Sequence, residues 1–431
     1  MSFPHQRRVT ISAGEECTIS GNCAVELQLQ SGVVEVAGVP LNARESFTFH
    51  LLIDKRSLIF YTLEGGSVLV IADGPYEMSS TATTVAPVVQ LCYRSIVSKP
   101  RSKVLVVGSA HCGKTLIAHT ICNLLREGAA RGELGEGTSV SPFLMDLNMQ
   151  SNCLYSPGCV SAVQVEQRLW PGLSSSPTLL PISLFVGEAD LPSSNNVTAY
   201  LHFVAQLQDC TEALLETVGT GTVHLIIDAP APAPDIKEGV YFRRLVELLR
   251  PTHVVTVTSQ DVSETWPSFL EEDVQRLLPE CEVVHTTPVA RRCSGSLRDQ
   301  YICEYFAGTP HWPLGCAKVV LPLNQLTFVQ YVTREGEVSC QRVQMTAEMG
   351  RSICALSHAE IIEEVPFAPV AGMLLLLSVD EEHEEVVAVV PACEPLPRRF
   401  LILPNNEQTS HAGPTLCSGG AISCIEKAVS V

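Results

Sequence analysis

Residues 108–115 read Gly108-Ser109-Ala110-His111-Cys112-Gly113-Lys114-Thr115. They fit GxxxxGK[ST] at every fixed position. Small residues there let successive backbone N–H groups curl around phosphate oxygens. A lysine reaches the β- and γ-phosphates as a point charge, and a threonine hydroxyl can ligate Mg²⁺. A helix beginning at this point adds the positive end of its dipole. Gly108, Ala110, His111, Cys112, Gly113, Lys114 and Thr115 are therefore expected to hold the phosphates of a nucleotide, with Thr115 on the metal. Asp228 closes the apolar run 224–227. A carboxylate at the end of a buried strand near a phosphate loop is the usual indirect partner of Mg²⁺, so Asp228 joins Thr115 as a metal-site candidate.

The elements around the loop support this chemistry. Residues 104–107 form a continuous apolar run, as a buried parallel strand requires. Residues 115–126 place apolar side chains at helical spacing. Strand, loop and helix follow in the order a phosphate cradle needs. Further apolar strands are expected at 143–147, 182–186, 224–227 and 253–258, with a helix over 241–249. Strands alternating with helices predict a doubly wound parallel sheet. The stretch 126–141, rich in Gly and Glu, reads as a loop.

On either side the pattern is β. Short strands are expected at 24–30, 33–39, 46–52, 57–62 and 67–72, separated by turn signals such as Ser31-Gly32 and Gly65-Gly66. Residues 74–102 are polar around one short apolar run and read as a linker. Beyond 308, strands are expected at 318–321, 327–332, 373–379 and 386–390. Acidic 380–385 connects the last two as a hairpin, and the tail from 405 reads as frayed. The predicted organisation is an N-terminal all-β sandwich over 1–92, a P-loop α/β domain over 93–308 and a C-terminal β-rich α+β domain over 309–431.

Composition bounds the function. The chain has 431 residues, 46% of them hydrophobic and 17% charged, which excludes a disordered protein. Its 28 Lys+Arg against 46 Asp+Glu give a net charge of −18, so no global field draws in nucleic acid. The longest apolar stretch, 371–379, is far below the ~20 residues of a membrane helix, and the basic pair near the N-terminus has no apolar core behind it. No membrane association and no secretory signal are expected. The 17 Cys include no CxxC pair, which speaks against a zinc knuckle and for a reducing compartment.

Around this framework the chain resembles the polynucleotide 5′-hydroxyl kinase family. More closely, it is similar to the branch that binds ATP as a subunit of the pre-mRNA 3′-end cleavage and polyadenylation factor. The resemblance rests on 33–41 (VVEVAGVPL), on 304–308 (EYFAG) and on 370–403 (VAGMLLLLSVDEEHEEVVAVVPACEPLPRRFLIL), with the same three-part layout over roughly 390 residues. It implies ATP and Mg²⁺ as ligands, a nuclear location, and other subunits of that factor as partners, with RNA bound weakly or indirectly. It also implies that the sandwich covers the nucleotide. Glu16 and Arg56, with Lys55 as the near alternative, then face the base and sugar.

The same resemblance locates departures. Active kinases of the family carry a DxGQG-like motif whose Asp is the general base on the RNA 5′-hydroxyl. Here the stretch is Asp146-Leu147-Asn148-Met149-Gln150-Ser151, with the carboxylate kept and the glycines gone. Asp146 is thus either that base, a Mg²⁺-site carboxylate or a helix cap. The TxGW motif, whose Trp clamps the first base, is replaced by Asp228-Ala229-Pro230-Ala231. Losing a stacking ring forfeits about 1–3 kcal/mol of base binding. The lid arginine corresponds to Arg298, with Arg291 and Arg292 as alternatives. Three functions remain: a catalytically inactive ATP-binding scaffold, an RNA 5′-hydroxyl kinase using Asp146 and Arg298, or another P-loop NTPase. A switch GTPase is disfavoured because no NKxD-like motif is present.

Overall fold

The computed structural model describes residues 5–51, 57–130, 140–171, 181–217, 222–258, 266–287, 297–309, 312–391, 396–405, 416 and 418–429. Its first part is two stacked antiparallel sheets. One holds His5–Ile11, Gly66–Ala72, Ala24–Gly32 and Ser46–His50 in that spatial order. The other holds Val39–Pro40, Glu35–Val36, Ser57–Thr62, Glu15–Gly21 and Tyr76–Ala82. Val9, Ile19, Val25, Leu27, Phe60 and Val70 fill the space between them. Strand Tyr76–Ala82 falls where a linker was expected. Its side chains are almost all exposed, so no apolar alternation marks it. The first two strands also escaped the pattern, the first because only two of its seven residues are buried.

The central sheet has seven strands: β1 (Arg101–Gly108), β2 (Val140–Asp146), β3 (Cys159–Gln164), β4 (Ile182–Phe185), β5 (Thr222–Asp228), β6 (His253–Val257) and β7 (Glu282–Thr286). They lie in the order β4-β3-β2-β5-β1-β6-β7. The five strands from β2 to β7 in that order are parallel, and β3 runs antiparallel to both of its neighbours. The sheet is therefore mixed, which corrects the all-parallel expectation. β3 (CVSAVQ) carries Ser161 and Cys159 in a buried setting, a weak apolar signal. β1 lies between β5 and β6, so the chain reverses its winding direction at β1. A cleft at such a switch point is where open α/β sheets bind ligands.

Helices α1 (Lys114–Ala130), α2 (Val197–Thr217), α3 (Glu238–Leu249), α4 (Trp266–Leu277) and α5 (Leu297–Ala307) cover the sheet. The C-terminal sheet has seven strands in the order Ala317–Pro322, Glu385–Val390, Val370–Asp380, Ser352–Ser357, Phe400–Ile402, Thr327–Arg334 and Glu337–Arg342. Its hairpin at Asp380–Glu385 stands where the acidic run predicted it. One buried cluster runs continuously from the central sheet through Tyr200 and Phe203 of α2 to Tyr331, Ile353 and Phe400 of the last sheet. The tail is not frayed throughout: Gly419–Val429 is a helix that buries Ala421, Ile422 and Ile425 against this cluster. No helix among the described residues is long and apolar enough to cross a membrane.

Candidate functional site

The phosphate loop leaves the C-terminal end of β1 and turns into α1. His111 and Gly113 take left-handed φ values of 59° and 91°. A loop that curls its N–H groups inward needs such angles, and Gly113 adopts its angle without strain. Gly108 is required for a second reason. A Cβ there would overlap the Val257 carbonyl oxygen and crowd the Cys112 sulfur. Only glycine lets β1 and β6 stay in register at the loop.

Lys114 is buried, and its Nζ donates to the Ser109 carbonyl at 2.7 Å. The loop thus holds its cation over its own cradle. Thr115 Oγ1 donates to Asp228 Oδ2 at 2.6 Å. Asp228 ends β5, directly across the ladder from Asp146 at the end of β2. Both carboxylates are buried. Burial raises both of their pKa values. Asp228 nearby raises that of Asp146 further, while the Thr115 hydrogen bond and the Lys114 charge partly restrain that of Asp228. The Asp228 carboxylate beside the Thr115 hydroxyl offers hard oxygen donors that fit Mg²⁺.

Asp146 is engaged elsewhere. Its Oδ1 accepts the Asn148 N–H and its Oδ2 the Cys153 N–H, both at 2.9 Å. Asn148 in turn caps Gln150 and Ser151. The stretch that lacks the family's glycines has become a self-closed turn, organised by the carboxylate at its root. Leu147 is fixed from both sides. Its N–H donates to the Asp228 carbonyl, and its own carbonyl accepts the Tyr200 hydroxyl, which is itself bonded to Tyr241.

A cavity of about 300 Å³ opens over the loop. Ala110, His111, Lys114, Asn148, Pro230 and Arg298 are among the residues that line it. The structure therefore brings Arg298 to the site although it lies 184 positions after Lys114 in the chain (298 minus 114). Arg298 Nη1 contacts the Ala189 carbonyl and Asp190, and its Nε has no partner among the described residues. Pro230 and Ala231 occupy the wall that follows Asp228.

Glu16 does not line that cavity. It is buried in Glu15–Gly21 and its Oε2 accepts the Thr84 N–H at 3.1 Å. Burial raises its pKa despite that bond. Thr84 accepts the Thr286 hydroxyl through its carbonyl, and Thr286 ends β7 beside Val257. Glu16 is thereby tied to the loop end of the central sheet. Arg56 and Lys55, like Arg291 and Arg292, lie outside the described residues.

The sandwich sits directly on α1. Asn123 Nδ2 donates to the Ala37 carbonyl at 2.8 Å and to the Leu169 carbonyl, while its Oδ1 accepts the Leu169 N–H. Gly38, at φ 78°, passes so close that a Cβ would fall 2.8 Å from the Thr120 carbonyl oxygen. Trp170 packs against Phe47 and Phe49 of the sandwich. Sequence reasoning passed over Asn123. A buried asparagine in mid-helix is the only signal it leaves.

Residues 108–308 match the family model described as the P-loop of mRNA cleavage and polyadenylation factor CLP1. The human protein named polyribonucleotide 5′-hydroxyl-kinase Clp1 is 23% identical over 423 residues, 89% of this chain and 92% of that protein. The protein CLP1 homolog of Nematostella vectensis is 24% identical over 440 residues, 92% of each chain. Among solved structures, wild-type Clp1p in complex with Pcf11p superposes with a TM-score of 0.74 at 19% identity, over 93% of this chain and 98% of that one. A second Clp1p structure, describing an extended interface with Pcf11p and ATP loss in a point mutant, gives 0.73 at 18% over the same shares.

Proposed function

The chain belongs to the polynucleotide kinase/CLP1 family, and from that premise we propose that it is a catalytically inactive ATP-binding subunit of the pre-mRNA 3′-end cleavage and polyadenylation machinery. Its three parts are the sandwich (1–92), the P-loop domain (93–308) and the C-terminal domain (309–431). ATP with Mg²⁺ is a structural ligand there, adding negative phosphate and a divalent charge that join the sandwich to the central domain. Lys114 and the loop N–H groups bind the phosphates, and Thr115 with Asp228 holds the metal side. Glu16, together with Arg56, faces the base. A Pcf11p-like subunit is the expected partner, and the nucleus the place of action.

One observation carries this reading. The ATP half of the site is intact, whereas both oxygens of Asp146 are taken by backbone N–H groups of its own turn. Phosphoryl transfer is mostly positioning and charge stabilisation. A carboxylate spent on holding its own loop is poorly placed to take a proton from an RNA hydroxyl. Among the described residues, the wall formed by Asn148, Gln150, Ser151, Pro230 and Ala231 offers no stacking ring.

The second reading, an active RNA 5′-hydroxyl kinase, is favoured by Arg298, which lines the same cavity as Lys114. The experiment is transfer of label from γ-labelled ATP to a 5′-hydroxyl oligoribonucleotide, together with extraction of nucleotide from the purified protein. Co-purifying intact ATP without transfer supports the structural role. Robust transfer that disappears in Asp146→Asn promotes the kinase.

A further inference from the structure

Strand Ala317–Pro322 ends the C-terminal sheet. It is paired with Glu385–Val390 on one side and with no described strand on the other. Lys318, Val320 and Pro322 are exposed along it, Val320 at 51%. A cavity of about 730 Å³ lies beside it and touches Val320, Leu321 and Pro322. These three are the last residues of the strand, and the cavity also touches Gln325 and Leu326 just beyond it, so it lies at the C-terminal end of a strand whose second edge no described strand pairs.

The rest of the groove combines apolar and cationic groups. Leu326 and Leu396 line it with Leu321, and Arg398 and Arg399 contribute their side chains. Arg398 Nε donates to the His358 carbonyl, and its Nη2 lies 3.5 Å from the Glu360 carboxylate. That bridge is solvent-exposed at both ends, and exposed bridges contribute little, so an incoming carboxylate can compete with it. The Arg399 guanidinium stacks 5.0 Å from the Phe400 ring centre. Two arginines against the single carboxylate of Glu360 leave the lining residues net positive in a chain of net charge −18.

We propose that this groove is a β-augmentation site for a protein partner. An extended peptide segment pairs with the free edge of Ala317–Pro322, sets an apolar side chain among Leu321, Leu326 and Leu396, and places an acidic side chain against Arg398 and Arg399. The unpaired backbone groups and the apolar lining favour a peptide over RNA, which cannot complete a β-ladder. A lysine on an exposed edge, here Lys318, disfavours edge-to-edge self-pairing, whereas an acidic strand meets an opposite charge. The proposal is independent of the nucleotide reading.

The test is selection of a phage-displayed random dodecapeptide library on the full-length protein, followed by fluorescence anisotropy and amide hydrogen exchange with the selected peptides. The expected peptides alternate apolar and acidic residues, protect amides within 317–322, and lose binding when their backbone is N-methylated. Arg398→Glu with Arg399→Glu weakens them by about tenfold or more, and peptides with Lys in place of the acidic residue recover binding to that double variant. Val320→Asp, on the exposed side of the strand, serves as a second weakening variant should the arginine pair disturb folding. The proposal is overturned if no peptide is enriched or if selected peptides bind all variants equally. It is also overturned if protection falls elsewhere, or if the groove captures a 5′-hydroxyl oligoribonucleotide in preference to peptide.

Discussion

Asp146 and Asp228 stand directly opposite each other at the ends of adjacent parallel strands, both buried, with Thr115 bonded to the second. Like charges so placed resist ionising together. A divalent cation held beside Thr115 would relieve that repulsion.

Asp228→Asn follows from this. Burial raises the Asp228 pKa above its unfolded value, so at neutral pH its charge opposes folding. The variant should melt higher than wild type without nucleotide and gain less from ATP with Mg²⁺. Differential scanning calorimetry with and without ligand measures both shifts. A variant that melts lower without ligand would show that the carboxylate charge is already compensated.

Lys114→Ala combined with Thr115→Ala should abolish nucleotide retention. A ligand that binds only the folded state at a hundredfold excess over Kd contributes about 2.7 kcal/mol, so saturating ATP should stabilise wild type and leave the double variant unmoved. Wild-type amounts of nucleotide in the purified variant would remove Lys114 and Thr115 from the phosphate site.

Glu16 has two separable roles. Glu16→Gln keeps an oxygen to accept the Thr84 N–H and loses the charge, whereas Glu16→Ala loses both. If the sandwich covers the base, both variants weaken ATP binding, and only Glu16→Ala also lowers the melting temperature of the empty protein. Isothermal titration of wild type and both variants decides the matter, and unchanged ATP affinity in both confines the site to the central domain.

The phosphate loop and Asp228 were legible in the sequence because chemistry fixes their types and a continuous apolar run marks each preceding strand. The sandwich was legible in outline from alternation and turn residues. Its outer strand Tyr76–Ala82 was not, because a strand exposed along nearly its whole length leaves no periodic trace. Cys159–Gln164 was missed because a buried strand of small and polar residues looks like loop. The engagement of Asp146 by Asn148 and Cys153 could not be read, since backbone donors carry no sequence signature. Arg298 entered only through the resemblance, because its place depends on how the fold brings the start of α5 to the phosphate loop.

Acid should destabilise the protein from the end of the sheet opposite the loop. His224 and His253 lie on β5 and β6 near their N-terminal ends, fully buried. Neither nitrogen of His224 has a hydrogen-bond partner among the described residues. Burial lowers both pKa values to about 4; a neighbouring His253 adds to the effect on His224, and Lys99 to that on His253. Unfolded histidine titrates near 6.5. Between about pH 6.5 and 4 the unfolded chain binds more protons, so stability falls as pH falls, by on the order of 3 kcal/mol per histidine at the full shift. Urea midpoints at pH 7.5 and 5 should differ accordingly, and His224→Leu should narrow the gap. An equal gap in the variant would place the acid sensitivity elsewhere.

The docking of the sandwich on α1 should couple its position to nucleotide binding. Gly38 combines a left-handed backbone with a Cβ position 2.8 Å from the Thr120 carbonyl, about one and a half turns along the helix from the lysine and threonine that begin it. Gly38→Ala must strain the turn or lift the sandwich, and conformational strain of this kind costs about 1–3 kcal/mol. Asn123→Ala removes the hydrogen bonds to Ala37 and Leu169 and leaves buried backbone groups unpaired, at about 1–3 kcal/mol. Neither residue lines the phosphate cavity. If the sandwich helps to hold the nucleotide, both variants should lose ATP affinity along with stability, and excess ATP should restore part of the melting temperature. Hydrogen exchange would show faster opening at Ala37 and along Lys114–Ala130. A loss of stability with wild-type ATP affinity would mean that the central domain binds nucleotide without help from the sandwich.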